Sequence, residues 1–316
     1  MLIPLLVIIT GFVVLYYGAE WLVRGAVRIA ANLRISRVVV GIVLVAFGTS
    51  SPELFVNLVA AYEGHSGFLL SNVSGSNLAN ICIGFGGCAV IGGLVVAKKK
   101  FWIYLGYFSI APLLVLLLVL TDAEQELPFW SAGFFLLLFV TYLFVAKQRM
   151  EVPEKSEAIQ KGKLIFGLLL FVIGCGALYA GGELVIQSAI GIGKHLGVSD
   201  TILGLTIIAF GTSIPDVMAS IVAVKKGENS IAVGNLLGSN IFNVLFILSA
   251  TLLVLGEDLT TDQGIIVDYI MVGICSFLFI ALIAFSERIS RINGLVLVAI
   301  YLLYITYRVM SHTNIS

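Results

Sequence analysis

Apolar residues run in long blocks along this chain, and polar residues gather in short breaks between them. A helix that crosses a bilayer needs about 20 mostly apolar residues. Ten blocks meet that need: residues 3–23, 37–61, 68–96, 101–121, 128–146, 164–190, 198–224, 229–255, 265–285 and 293–310. The breaks include Lys98 to Lys100, Asp122 to Glu126, Lys147 to Lys163, Lys225 to Asn229, Glu257 to Asp262 and Glu287 to Arg291. The pattern predicts an all-α polytopic membrane protein with ten transmembrane helices. No break is long enough to hold a folded soluble domain.

Two blocks are interrupted in the same way. Phe47-Gly48-Thr49-Ser50-Ser51-Pro52-Glu53 returns 163 residues later as Phe210-Gly211-Thr212-Ser213-Ile214-Pro215-Asp216. The match needs no gap from Gly18–Asn80 to Gly181–Asn243, and it includes Gly41 with Gly204 and Gly64 with Gly227. Each copy belongs to a set of five spans. Five is odd, so the second set enters the membrane from the opposite side, and the two are inverted repeats. The expected division is residues 1–146 for the first five-helix repeat, 147–163 for a cytoplasmic linker and 164–316 for the second repeat. Sites in such folds lie near the bilayer midplane, where the halves meet.

The polar residues inside these blocks have helical spacing. Thr49, Glu53 and Asn57 recur at intervals of four in span 2, as do Thr212, Asp216 and Ser220 in span 7. Each set lies along one helical face. Span 3 carries Asn72, Ser76 and Asn80, and span 8 carries Asn235, Ser239 and Asn243, at the same interval. Pro52 and Pro215 cannot donate to the carbonyls one turn back, so helices 2 and 7 are predicted to break there. Freed carbonyls at membrane depth are tolerated where they line a cavity or hold an ion.

Composition strengthens this picture. The chain is 59% hydrophobic and 11% charged, with a mean hydropathy of +1.09. Formal net charge is zero, but alternating the loops puts sixteen of the eighteen Lys and Arg residues on one side, leaving Lys194 and Arg308 on the other. The positive-inside rule makes the basic side cytoplasmic, with both termini outside. The opposite loops carry Glu63, Asp122, Glu124, Glu126, Asp200, Glu257, Asp258 and Asp262. The first basic residue is Arg24, so the N-terminal block lacks the basic start of a signal peptide and reads as an uncleaved helix. Cys82, Cys88, Cys175 and Cys275 lie in apolar runs and form no CxxC pair. His65, His195 and His312 fall in breaks or the tail. No Ser–His–Asp set or phosphate-binding loop marks an enzyme, and no cofactor or nucleic-acid partner is expected.

A carboxylate in a membrane costs roughly 2.5–3.5 kcal/mol on insertion scales. Glu53 and Asp216 have no cationic residue in spans 2, 3, 7 or 8 to offset them. A proton or a bound cation must compensate two such acids in a dry site. Carboxylates, hydroxyls and carbonyls are oxygen ligands, which suit calcium and sodium. Magnesium fits less well, and zinc or copper would call for His or Cys. Glu20 and Glu183 form a further matched pair near helix ends, where Arg24 and Gln187 stand one turn on. Their expected role is structural.

The doubled motifs resemble the calcium/cation antiporter superfamily, and within it the prokaryotic sodium/calcium exchangers. The residues that carry the likeness are Gly48 to Glu53 with Gly75 to Asn80, and Gly211 to Asp216 with Gly238 to Asn243. The resemblance implies that Glu53 and Asp216 are central calcium ligands shared with sodium. It implies calcium-binding carbonyls at Thr49 and Thr212, and sodium-binding hydroxyls at Ser50, Ser213, Ser76 and Ser239. Ala46 and Ala209 would give carbonyls to sodium, and Asn80 and Asn243 would flank the centre. It implies exchange of entering sodium for leaving calcium across the cell membrane, with spans 1 and 6 sliding over the other eight. The chain departs from some relatives, which have Asp at the place of Asn243 or Glu at the place of Asp216. Asn243 removes a charge and argues against potassium coupling. Calcium/proton exchange on the same fold is the main alternative, and a cation channel a lesser one. A monomer without calcium-sensing regulatory domains is expected.

Overall fold

The computed structural model describes residues 2–64, 66–149, 162–195 and 209–313. Twelve helices are used below: α1 (Leu2–Leu33), α2 (Arg37–Thr49), α3 (Ser51–Tyr62), α4 (Gly67–Gly92), α5 (Lys98–Thr121) and α6 (Ser131–Gln148). The second half supplies α7 (Gly162–His195), α8 (Ala209–Thr212), α9 (Ile214–Lys225), α10 (Asn229–Leu255), α11 (Gln263–Phe285) and α12 (Arg291–Thr313). Among the described residues, eight helices are long and apolar enough to cross a membrane alone, and α2 with α3 makes a ninth crossing bent by 45°. The expected seventh span falls on α8 and α9, and its first part lies outside the described residues.

Loop contacts carry the tenth crossing. Arg37 pairs with Glu228 at 2.6 Å, and the Val95 N–H donates to Asn229 Oδ1 at 3.3 Å. Leu94–Val95 (β1) pairs antiparallel with Arg288–Ile289 (β2). The breaks after α1, α4, α9 and α11 therefore share one face, the basic one. A backbone bridge between Leu127 and Leu259 joins two breaks on the other face. The start of α7 packs beside Arg28 and its later part beside Gly11, so α7 leaves the basic face. The chain must return between His195 and Lys226, which agrees with ten spans.

Three helices pack against their own repeat mates. A Cβ at Gly18 would meet Ala177, one at Gly25 would meet Phe171 and one at Gly11 would meet Gly181, so α1 and α7 run antiparallel along a small-residue seam. Phe108 meets Phe279 and Leu113 meets Gly273, so α5 and α11 do the same. Asn77 and Asn240, themselves mates, touch where α4 crosses α10. Mates that pack antiparallel require a twofold axis lying in the membrane plane. Close approach also seats α10 on α2, where a Cβ at Gly41 would lie 2.8 Å from the Ile231 carbonyl oxygen. Of the eight unbroken spans, α4 and α10 are the most enclosed, with 67% and 78% of their apolar stretches buried, against 33% and 28% for α1 and α7. The site elements are thus central, and the α1/α7 pair is peripheral.

Several boundaries differ from the sequence reading. Helix α1 runs ten residues past the expected end at 23, so Arg24 and Arg28 sit in a helix rather than a loop. Arg24 reaches back to Glu20, and Arg28 lies 4.6 Å over the Phe166 ring, which lets both charges extend helical turns at the interface. Helix α4 stops at Gly92 because Gly93 takes φ 70° and the next residues turn into β1. Three π-helical stretches were not anticipated: Val40–Val45, Asn80–Phe85 and Asn243–Ile247. The Tyr142 hydroxyl donates to the Ile42 carbonyl at 2.6 Å within the first of them.

Candidate cation-binding site

Each half builds a helical hairpin with a break at its base. Ser50 (φ −90°, ψ 5°) ends α2, and Ser213 (φ −83°, ψ −6°) separates α8 from α9. A proline follows within two residues in both places, in the first turn, where its missing N–H costs no helical bond. Glu53 and Asp216 then occupy the first turns of α3 and α9. A helix N-terminus carries partial positive charge, so the break places each acid where its ionised form is least costly. The C-terminal carbonyls of α2 and α8 approach the same depth from the other side.

The hairpins turn at Gly64 and Gly227, both at φ 77°, a left-handed conformation that glycine adopts without a Cβ penalty. These turns fix the register of the polar stripes. The spacing of the stripes pairs Thr49 with Asn80, Glu53 with Ser76 and Asn57 with Asn72 in the first hairpin. In the second, Ser239 faces Asp216, and Asn235 bonds to Ser220 at 3.0 Å.

Contacts between the hairpins join them into one cluster. The Asn80 Nδ2 donates to Asp216 Oδ2 at 2.8 Å, and the Ser50 hydroxyl reaches the same oxygen at 3.5 Å. Thr49 and Ser239 face that carboxylate as well. Thr49 also donates to Asn235 Oδ1 at 2.9 Å, while Asn235 Nδ2 reaches the Asp216 carbonyl at 3.1 Å. The Ser76 and Thr212 hydroxyls lie 3.4 Å apart. The Glu53 carboxylate is near enough to that of Asp216 for the two to repel. Among the described residues neither acid has an ion-pair partner.

Thr49, Ser50, Glu53, Ser76, Asn80, Thr212, Ser213, Asp216, Ser239 and Asn243 are all buried. Asn243 behaves unlike its mate Asn80: it donates to Asn77 Oδ1 at 3.1 Å rather than to a carboxylate. The Ala46 carbonyl accepts from the Ser50 N–H at 2.9 Å and lies 3.4 Å from the Thr49 hydroxyl. Ala209 opens α8. Both Glu53 oxygens, Asp216 Oδ1, the Oδ1 atoms of Asn80, Asn240 and Asn243, and the hydroxyls of Ser213 and Ser239 are buried without a hydrogen bond among the described residues. Buried polar atoms rarely stay unsatisfied, so this concentration calls for a partner. Every atom named is an oxygen, the donor that hard cations take.

Sequence reasoning did not foresee Asn235 as the tie between hairpins, or the Asn77–Asn240 contact on the axis. The gap-free repeat holds the signal for the second, because a mate pair on the axis must meet itself. Glu20 and Glu183 stand where expected. Glu20 pairs with Arg24 at 2.5 Å and with Lys226 at 2.9 Å, and Glu183 accepts from Gln187 at 2.8 Å.

Mated hairpins with broken helices, crossing at an oxygen-rich centre in a multi-span chain, define a membrane carrier of the inverted-repeat class. The family model described as sodium/calcium exchanger protein matches residues 3–147 and 166–310, and the chain belongs to that family. It is 30% identical to CaxA of Alkalimonas amylolytica, over 96% of this chain and 98% of the relative. It is 28% identical to the sodium/calcium exchanger MaX1 of Methanosarcina acetivorans, over 95% and 97%. Its fold is similar to that of the sodium-calcium exchanger NCX_Mj, with a TM-score of 0.81 at 30% identity over 97% of this chain and 99% of that one.

Proposed function

We propose that this protein is a secondary antiporter that exchanges sodium for calcium by alternating access, with calcium leaving as sodium enters. The observation that supports it is the buried, unpartnered set of oxygens around Glu53 and Asp216 where the two hairpins cross. One calcium ion balances two carboxylates. Sodium ions can replace it by dividing the hydroxyls and carbonyls among subsites. The proposed ligands are Glu53 and Asp216 at the centre, Thr49 and Thr212 through carbonyls, and Ser50, Ser213, Ser76 and Ser239 through hydroxyls. Ala46 and Ala209 add carbonyls, and Asn80 and Asn243 tune the centre.

The same reading places the protein in the cell membrane as a monomer, with the basic loops and the 147–163 linker in the cytoplasm and both termini outside. The halves are 1–146 and 164–316. Shallow burial of α1 and α7, joined by their small-residue seam, supports their moving as one body across the rest.

The test is calcium uptake into proteoliposomes with and without an outward sodium gradient. The gradient should raise uptake severalfold. Equal uptake in both would end sodium coupling, and calcium flux driven by a pH gradient without sodium would put proton exchange in its place.

A further inference from the structure

The third rung differs between the hairpins. In the second, Asn235 uses its whole amide: Nδ2 donates to Ser220 at 3.0 Å and to the Asp216 carbonyl at 3.1 Å, and Oδ1 accepts from Thr49 at 2.9 Å. In the first, Asn57 Nδ2 donates to the Glu53 carbonyl at 2.8 Å, and its Oδ1 has no partner. Neither Oδ1 nor Nδ2 of Asn72 bonds to any described residue. Both side chains are 1% exposed. Desolvated amide atoms without hydrogen bonds are costly, and the three on these two side chains call for a partner.

We propose that Asn57 and Asn72 form a further cation-binding rung, one helical turn from Glu53, that takes a sodium or calcium ion still carrying part of its water. The two Oδ1 atoms are hard-cation ligands, and Asn72 Nδ2 can donate to one of the ion's waters. The rung is uncharged, so it binds weakly enough to release the ion onward to Glu53 and Ser76. One turn is about 5.4 Å, a single step between sites. A cavity of about 750 Å³ runs along the same hairpin, from Glu63 and Phe68 at the turn, past Phe55 and Val59, to Pro52 beside Glu53. It reaches the Glu63 end of the hairpin, on the face opposite the basic loops, and its lining does not include Asn57 or Asn72. The site rests on the transport reading and orientation given above, in which that face is the outer one.

The test is Asn72→Leu in orientation-sorted proteoliposomes. Asn72 makes no hydrogen bond with any described residue, so its replacement should leave thermal stability unchanged or raised. The sodium and calcium concentrations for half-maximal exchange should rise about three- to tenfold at the Glu63 face, by analogy with losing one neutral oxygen ligand, and stay constant at the basic face. Asn72→Ser, which keeps one oxygen, should fall between. An equal shift at both faces, or none at either, overturns the rung while exchange itself stands. Absence of sodium-dependent flux in the unmodified protein overturns the transport reading and the rung with it.

Discussion

Glu53 and Asp216 are mates in a repeat that aligns without a gap, yet they live in different surroundings. Asp216 is held by Asn80 at 2.8 Å and faced by Ser50, Thr49 and Ser239. Both oxygens of Glu53 are buried with no partner among the described residues. The difference begins one rung away. Asn57 is long enough to cap the Glu53 carbonyl, which leaves Asn72 idle. Its mate Ser220 donates instead to the Ala232 carbonyl at 3.4 Å, and Asn235 caps the Asp216 carbonyl and accepts from Thr49. A symmetric scaffold thereby gains one carboxylate oriented in advance and one whose bonding is left to the cargo.

Neutralising either acid is the most severe way to probe that contrast. Glu53→Gln and Asp216→Asn should each abolish calcium binding measured by calorimetry, because each removes half of the charge that balances the ion. Their effects without ions should diverge. Glu53→Gln replaces an unpartnered buried carboxylate by a neutral group and should raise the thermal midpoint. Asp216→Asn weakens the charge-assisted bond from Asn80 and should lower it. Equal midpoints would mean that the two acids are equivalent in solution.

The parts of this site that follow local rules were legible in the sequence. Period-four stripes and proline at the helix break each act within a turn or two, and both were found where expected. The asymmetry was not legible. Asn80 and Asn243 are the same residue in the same local motif, and only packing decides that one meets Asp216 and the other Asn77. The π-helical stretches after both asparagines were equally hidden, since a one-residue bulge leaves the apolar pattern intact. Arg308 was counted among the residues of the outer face. On that side it is buried within α12, 9% exposed.

That arginine marks a second difference between the halves. Arg308 Nε lies 3.0 Å from Asp268 Oδ1, and the Tyr304 hydroxyl donates to the same carboxylate. At the 163-residue offset the first half has Leu105 and Val145 instead, which need no partner. Arg308→Met should cost about 3–5 kcal/mol of stability, because Asp268 stays buried without its counter-ion. The double change Asp268→Leu with Arg308→Met, which restores the first half's chemistry, should recover most of it. Unfolding in mixed detergent measures both. A single mutant as stable as the double would make the pair incidental.

The mildest probe acts on the asparagines themselves. Asn80→Ala removes a charge-assisted bond and leaves Asp216 Oδ2 with Ser50 at 3.5 Å. Bonds to charged groups are worth about 1.5–3 kcal/mol, so calcium affinity should fall tenfold or more as the carboxylate loses its orientation. Asn243→Ala removes only the neutral contact to Asn77 at 3.1 Å. A neutral bond is worth about 1 kcal/mol, and the expected loss is about fivefold or less. Calcium titration of both variants compares mate with mate in one experiment. If the two losses match, Asn243 turns from Asn77 to Glu53 when the ion arrives, and the asymmetry belongs to the ion-free state. If Asn80→Ala is several times worse, the two halves keep different tasks with the ion bound: Asn80 orients a ligand, and Asn243 ties the hairpins together on the axis.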